Sequence, residues 1–468
     1  MTELWQLGAL ELADRIRTRE VSSREVLEAH LARVDECNGA LNAIVRLLTD
    51  EARSAADAAD AAVAAGGELG RLHGVPCTVK ENIDLAGTPT TQGVTALADA
   101  IATIDSPTVE RMRAAGAIPF ARTNLPDFGL RVHTDSQLHG PTRNPWNPEV
   151  TAGGSSGGEG AAIASGMSPI GLGNDIGGSL RNPAHCCGIS SLKPTVGVIP
   201  MATVVPPEDM TLSSQLMVVE GPMARSVADV RAGLEILAGQ HWRDPRSVTA
   251  TLTDAAPGER LRIAVMADPP GGTTDAGIAG AIRSVADLLA DAGHDIVEAT
   301  PPNYERTVGL WRMLMIDDIR AQKDLLPLVL GPDALALLTM FDESSGPTLI
   351  PDTHLMHAER YALMRQWAAF HQEYPVLLSP TWAQRAFAPG ADLDTDTGVE
   401  MMTDTIRPVL PSNLLGTPSV VTPAGVVDGL PVGVQVMGDH FTDLRCLTVA
   451  AEIESLVGTI TPIDPITA

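Results

Sequence analysis

Gly153-Gly-Ser-Ser-Gly-Gly-Glu-Gly160, followed by Asn174-Asp-Ile-Gly-Gly-Ser-Leu-Arg181, decides how this chain is read. Two glycine-flanked serines, Ser155 and Ser179, lie 24 residues apart. Glycine lets backbone amides approach a ligand closely and permits positive φ. The stretch before Ser179 can therefore present a cluster of N–H donors, which is what an oxyanion needs when a carbonyl is attacked. The segment sits in a loop. Residues 137–160 hold Pro141, Pro145 and Pro148 and several glycines, and a loop this long inside a folded domain is usually functional.

Outward from the loop the pattern alternates. Residues 2–65 read as helical, with Ser22–Ser23 as an N-cap and an Ala-rich run from Glu51 to Ala65. Short β-like runs follow at Leu72–Val79 and Ala117–Ala121, with a helix at Val109–Ala115 between them. A helix is expected to start at Ala161, and Ile170–Leu172 reads as a strand. Further helices are expected at Ser226–Leu237 and Ile278–Ala292, and a strand at Leu261–Met266. Residues 306–373 are mostly helical in pattern, and β character returns at Ser419–Val421 and Val432–Val436. Alternating apolar runs and helices predict an α/β fold with a sheet covered by helices.

A serine hydroxyl needs a base to become a useful nucleophile. Lysine is scarce: Lys80, Lys193 and Lys323 are the only three. A buried lysine can be held neutral, whereas arginine cannot. Lys80 ends an apolar run in Val75-Pro-Cys-Thr-Val-Lys-Glu-Asn-Ile-Asp84, which makes it a candidate base. Its blander reading, a surface lysine paired with Glu81 or Asp84, is equally open at this point.

Composition limits the function classes. The 468 residues carry a formal net charge of −26, which argues against a nucleic-acid partner. Five cysteines, an odd number with Cys186 and Cys187 adjacent, and no C-x-x-C pair point to a reducing compartment and away from zinc. The N-terminal residues lack the basic and apolar regions of a signal peptide. No run of 18 apolar residues appears, so no membrane span is expected. These features together lead to the expectation of a cytoplasmic protein with no cofactor and no metal. His354 and His357 share a helical spacing with Glu359 nearby, but this is not H-E-x-x-H and lacks a third ligand.

Three motif readings compete. Gly153–Gly157 fits the letters of a G-x-S-x-G nucleophile elbow, but Asn144–Ala152 is not the buried strand that an elbow requires. Ser190-Ser-Leu-Lys193 fits S-x-x-K without its K-T-G or S-D-N partners. The glycine run lacks the G-K-[ST] ending of a phosphate loop.

Between Gly153 and Ser179 the sequence resembles the amidase signature family. The resemblance covers about residues 70–225, including Leu72–Asp84 and Gly221-Pro-Met-Ala-Arg-Ser226. It resumes at Asn413–Gly425 and Asp428–Gln435. It implies a single α/β/α domain around a large, mixed, twisted sheet. Within that domain, 1–69 would be N-terminal helices and 70–225 the signature core. Residues 306–400 would be a variable helical region shaping the substrate pocket, and 411–460 a return to the sheet. The resemblance also implies a Ser–cis-Ser–Lys triad: Ser179 as nucleophile, Ser155 as bridging serine after a cis peptide from Gly154, and Lys80 as base. The backbone N–H groups of Ile176, Gly177, Gly178 and Ser179 would hold the oxyanion. Ser156, Asp175, Arg181 and Gly154 would support them from behind.

The activity implied is hydrolysis of small-molecule amides through an acyl-enzyme, which water then hydrolyses. Esters and carbamates (urethanes) are further substrates open to the same attack. Alternatives within the resemblance are an amidotransferase subunit that releases ammonia from glutamine within a complex, and a non-catalytic scaffold of the same fold. Homodimers are common for such enzymes.

Overall fold

Val75, Cys77 and Val79 alternate along the chain with Thr78 and Lys80, and every one of these residues is buried. That pattern is a strand covered on both faces, which an α/β layer structure provides. The computed structural model describes residues 3–346 and 350–466; residues 1–2, 347–349 and 467–468 of the segments expected above lie outside it. It is α/β, with an eleven-stranded mixed sheet surrounded by helices.

In chain order the strands are β1 (Ile44–Leu47), β2 (Pro76–Lys80), β3 (Ile118–Thr123), a small pair β4 (Asp135–Ser136) and β5 (Gly140–Pro141), β6 (Ile170–Asp175), β7 (Ser190–Lys193), β8 (Val219–Ala224), β9 (Arg262–Val265), β10 (Asp295–Glu298), β11 (Val376–Pro380), β12 (Ser419–Val427) and β13 (Leu430–Met437). The large sheet runs β1-β3-β2-β6-β8-β7-β12-β13-β11-β9-β10. Strand β2 pairs in parallel with β3 and β6, and β9 with β10 and β11, while the remaining pairs are antiparallel.

The two faces carry separate cores. Val75, Cys77, Val79, Ile170 and Leu172 pack with Leu12, Val230, Leu234, Ile282 and Leu447 in one. Phe120, Ala161, Ala162, Ile163, Leu180 and Val421 belong to the other. Thr78 and Lys80 therefore face the second layer, where helix Gly157–Ala164 lies.

Two boundaries differ from the sequence reading. The helical expectation over residues 2–65 is interrupted by β1. Asn42 adopts the left-handed conformation (φ 52°) and closes helix Ser23–Leu41, so Ile44–Leu47 is free to pair antiparallel with β3. The helix expected to start at Ala161 starts at Gly157. Its glycines serve close approach here: a Cβ on Gly158 would lie 2.4 Å from the backbone nitrogen of Asn124 and 2.7 Å from the carbonyl oxygen of Ala43. Ser22 does cap its helix, and Glu25 reaches back to complete a capping box.

Among the described residues, no helix is long and apolar enough to cross a membrane. No group of three His, Cys, Asp or Glu among them is placed to hold a metal, and Glu359 is paired with Arg306.

Candidate active site

Lys80 ends β2, and Asn174 and Asp175 end its parallel neighbour β6. The carboxyl ends of parallel strands are where open α/β sheets place their sites. Here they meet the loop that carries Ser155 and the turn that carries Ser179. Both serines line one cavity of about 520 Å³, together with Asn174 and Ile176.

Lys80 is fully buried. Its Nζ lies 2.8 Å from Ser155 Oγ and 2.7 Å from Asn174 Oδ1. Asn174 is itself oriented by donating from Nδ2 to Asn82 Oδ1 at 2.9 Å. Burial pulls the Lys80 ammonium down from 10.5 to about 7, against the opposing pull of Asp175, Glu159 and Glu220. Glu159, on the helix behind it, accepts from Thr78 and Thr123 hydroxyls, and burial pushes its carboxyl up to about 7. The Gly154–Ser155 peptide is cis. No hydrogen bond joins the Ser155 and Ser179 side chains among the described residues, although both face the same cavity.

The turn before Ser179 is held from three sides. Asp175 accepts from the backbone N–H of Gly178 at 2.8 Å and of Leu180 at 3.1 Å. The Gly178 N–H is therefore committed to a carboxylate rather than open to a substrate oxygen. The N–H groups of Ile176, Gly177 and Ser179 have no protein acceptor among the described residues. Gly178 itself sits at φ 96°, where a Cβ would lie 2.4 Å from Asn182 Oδ1, so only glycine fits. Trp311, from helix Tyr304–Ala321, donates from Nε1 to the Ile176 carbonyl at 2.8 Å and covers Gly177. Asn182 Nδ2 donates to the carbonyls of Gly154 (3.0 Å) and Gly177 (3.2 Å), and its Oδ1 accepts from Trp382 Nε1 at 2.8 Å. One amide thus ties the Ser155 loop to the Ser179 turn. Ser156 is buried beside them and its backbone N–H donates to the Ser179 carbonyl at 3.3 Å.

Arg181 anchors the whole assembly. Its Nε and Nη2 bind the two Asp175 oxygens at 3.0 Å each, with both side chains fully buried. Its remaining donors reach the Val409 carbonyl, Ser412 Oγ, Gln435 Oε1 and Asn413 Oδ1 at 2.6–2.8 Å. Burial alone would raise the Asp175 carboxyl, but Arg181 brings it down to about 2. Asn413 and Gln435 lie in the C-terminal segments that carry the family resemblance, which is the one sequence signal for their part here. Asn174, Asn182, Glu159 and Trp311 give no such signal beyond their neighbourhood. Trp311, Phe341, Trp367 and Trp382 do not line this cavity; Trp367 and Trp382 are buried in the core.

Comparison with known proteins identifies the family. The Amidase family profile matches residues 25–447. The chain is 38% identical over 459 residues to an indoleacetamide hydrolase of Bradyrhizobium diazoefficiens, covering 98% of this chain and 88% of that protein. It is 32% identical to a glutamyl-tRNA(Gln) amidotransferase subunit of Salinispora arenicola, covering 99% of each. Among solved structures it matches a bacterial aryl acylamidase of the amidase signature enzymes with a TM-score of 0.85 and 26% identity, over 99% of this chain and 98% of that one. The chain is a member of the Amidase family, the amidase signature enzymes, and an amide hydrolase.

Proposed function

We propose that this enzyme hydrolyses amides with an apolar, aryl-bearing body through an acyl-enzyme on Ser179. The observation that carries the reading is a fully buried lysine amine 2.8 Å from Ser155 Oγ, in the cavity that also holds Ser179. As a neutral amine, Lys80 donates to Asn174 Oδ1 and accepts the Ser155 hydroxyl proton. Ser155 in turn takes the proton of Ser179 as its oxygen attacks the carbonyl. The Ser155–Ser179 contact forms with substrate bound, since catalytic hydrogen bonds commonly tighten only in the complex. The N–H groups of Ile176, Gly177 and Ser179 receive the oxyanion. The relay then runs backwards, protonates the leaving amine, and readies water to cleave the acyl ester. Esters and carbamates offer the same carbonyl and are included in the proposal.

The same relay would serve an amidotransferase subunit. The greater identity to the indoleacetamide hydrolase and the net charge of −26 favour the free-standing enzyme. Its five cysteines are all free and buried, which suits a cytoplasmic setting. The test is the purified chain by itself, assayed on aryl amides, aliphatic amides, esters and carbamates, with a fluorophosphonate probe. Turnover without a partner, labelling at Ser179, and loss of both in Ser179→Ala are expected. A folded chain that labels but hydrolyses no substrate unaided would return the reading to the amidotransferase subunit.

A further inference from the structure

Four buried carboxylates line the cavity around Ser179, and one of them stands apart. Asp84 accepts from Thr90 Oγ1 and the Val204 N–H. Asp244 accepts from Arg246 and the Met201 N–H, and Asp318 from Thr211, Ser213 and Ser214. Each of these three uses both oxygens within the protein. Glu220 is 4% exposed and lines the same cavity. Its Oε2 accepts from Thr108 Oγ1, while Oε1 has no protein partner among the described residues. That second oxygen is open to the cavity rather than sealed within the protein, so a donor on a bound ligand can reach it.

Its position is fixed by the sheet. Glu220 on β8 stands directly opposite Asn174 on β6 in the antiparallel register. Directly opposite residues present their side chains on the same face, and Asn174 is the residue that holds Lys80 Nζ. Glu220 is thus one strand away from the relay. Phe128, Leu130, Met315, Ile319 and Leu326 give the cavity an apolar wall.

We propose that Glu220 Oε1 is a specificity site that accepts a hydrogen bond from a second N–H-bearing nitrogen of the substrate, beyond the scissile amide. This deepens the hydrolytic reading above and rests on it: the substrates favoured are amides with an apolar body and a further nitrogen donor. Burial pushes the Glu220 carboxyl up to about 8, with Asp84 and Asp244 adding to the push, and a bound N–H donor would draw it back toward the carboxylate. A site built to accept such a bond discriminates against the analogue lacking it, because the oxygen is then covered by the ligand and left unpaired. The donor is either a neutral ring N–H or an ammonium.

Two matched pairs distinguish these sources by kcat/KM. Indol-3-ylacetamide against 1-benzothiophen-3-ylacetamide, in which sulfur replaces the ring N–H, tests the neutral donor. 5-Aminopentanamide against pentanamide tests the ammonium. At least one pair is expected to favour the donor tenfold or more. Glu220→Leu should bring that ratio close to one, and Glu220→Gln, which keeps an acceptor oxygen, should retain part of it. Turnover of these amides with both wild-type ratios near one, or a ratio unchanged in Glu220→Leu, overturns the specificity site and leaves the hydrolytic reading intact. Hydrolysis of none of the four removes that reading and the site with it.

Discussion

Lys80 offers the sharpest test, because its burial sets a number. Moving an amine from 10.5 to about 7 corresponds to about 5 kcal/mol of disfavoured charging. With that midpoint about half the enzyme is competent at pH 7, and about 1% at pH 5. The rate with a saturable amide should fall about tenfold per pH unit below 6 and level off above 8. Lys80→Met removes the base and should lower kcat by about 10²–10⁴, with the remaining rate losing the wild-type midpoint.

The assay pairs pH–rate profiles with NMR titration of isotope-labelled lysine, which is tractable because the chain has only three. Lys193 is also buried and also brought down to about 7 by burial, so a Lys193→Met sample is needed to assign the signals. The linkage sign follows from the folded state binding fewer protons at position 80. Between pH 7 and 10.5 the wild type should gain stability relative to Lys80→Met as pH rises. A Lys80 resonance titrating above pH 9, or a Lys80→Met enzyme with an unchanged pH profile, refutes the base assignment.

Other perturbations probe the supports. Glu159→Gln removes a carboxyl whose charged form raises the Lys80 amine, so the pH–rate midpoint should shift downward; an upward shift would contradict that coupling. Asn182→Leu breaks the tie between the Gly154 and Gly177 carbonyls and strands Trp382 Nε1, and should lower kcat tenfold or more while KM changes little, as steady-state kinetics would show. Arg181→Met leaves Asp175 buried without its partner and should cost about 3–5 kcal/mol in urea unfolding, a loss that Lys80→Met would not share.

Much of the candidate site is legible in the sequence because it is compressed into short glycine-rich segments. Ser155, Ser179 and Lys80 stand out by residue type and setting, and the α/β class by alternating runs. The turn from Ile176 to Ser179 reads too broadly: four free N–H groups are expected, yet Asp175 occupies that of Gly178. Only the path of the backbone reveals such a commitment. Strand β1 hides in a helical pattern because Ile44–Leu47 is too short to show a period of its own, and its partner β3 lies more than 70 residues onward. Glu220 and Asn182 are illegible for a similar reason. Their importance comes from what faces them across strands and turns, which residue order does not display.

The Arg181 cluster also bears on how this enzyme comes into being. Its guanidinium grips Asp175 with one edge and Asn413 and Gln435 with the rest, joining the middle of the chain to its final quarter. A growing polypeptide still on the ribosome holds its serines and lysine long before the residues that lock their scaffold have been synthesised. Truncated products that end before residue 413 lack these partners of Arg181 and should be inert toward amide substrates.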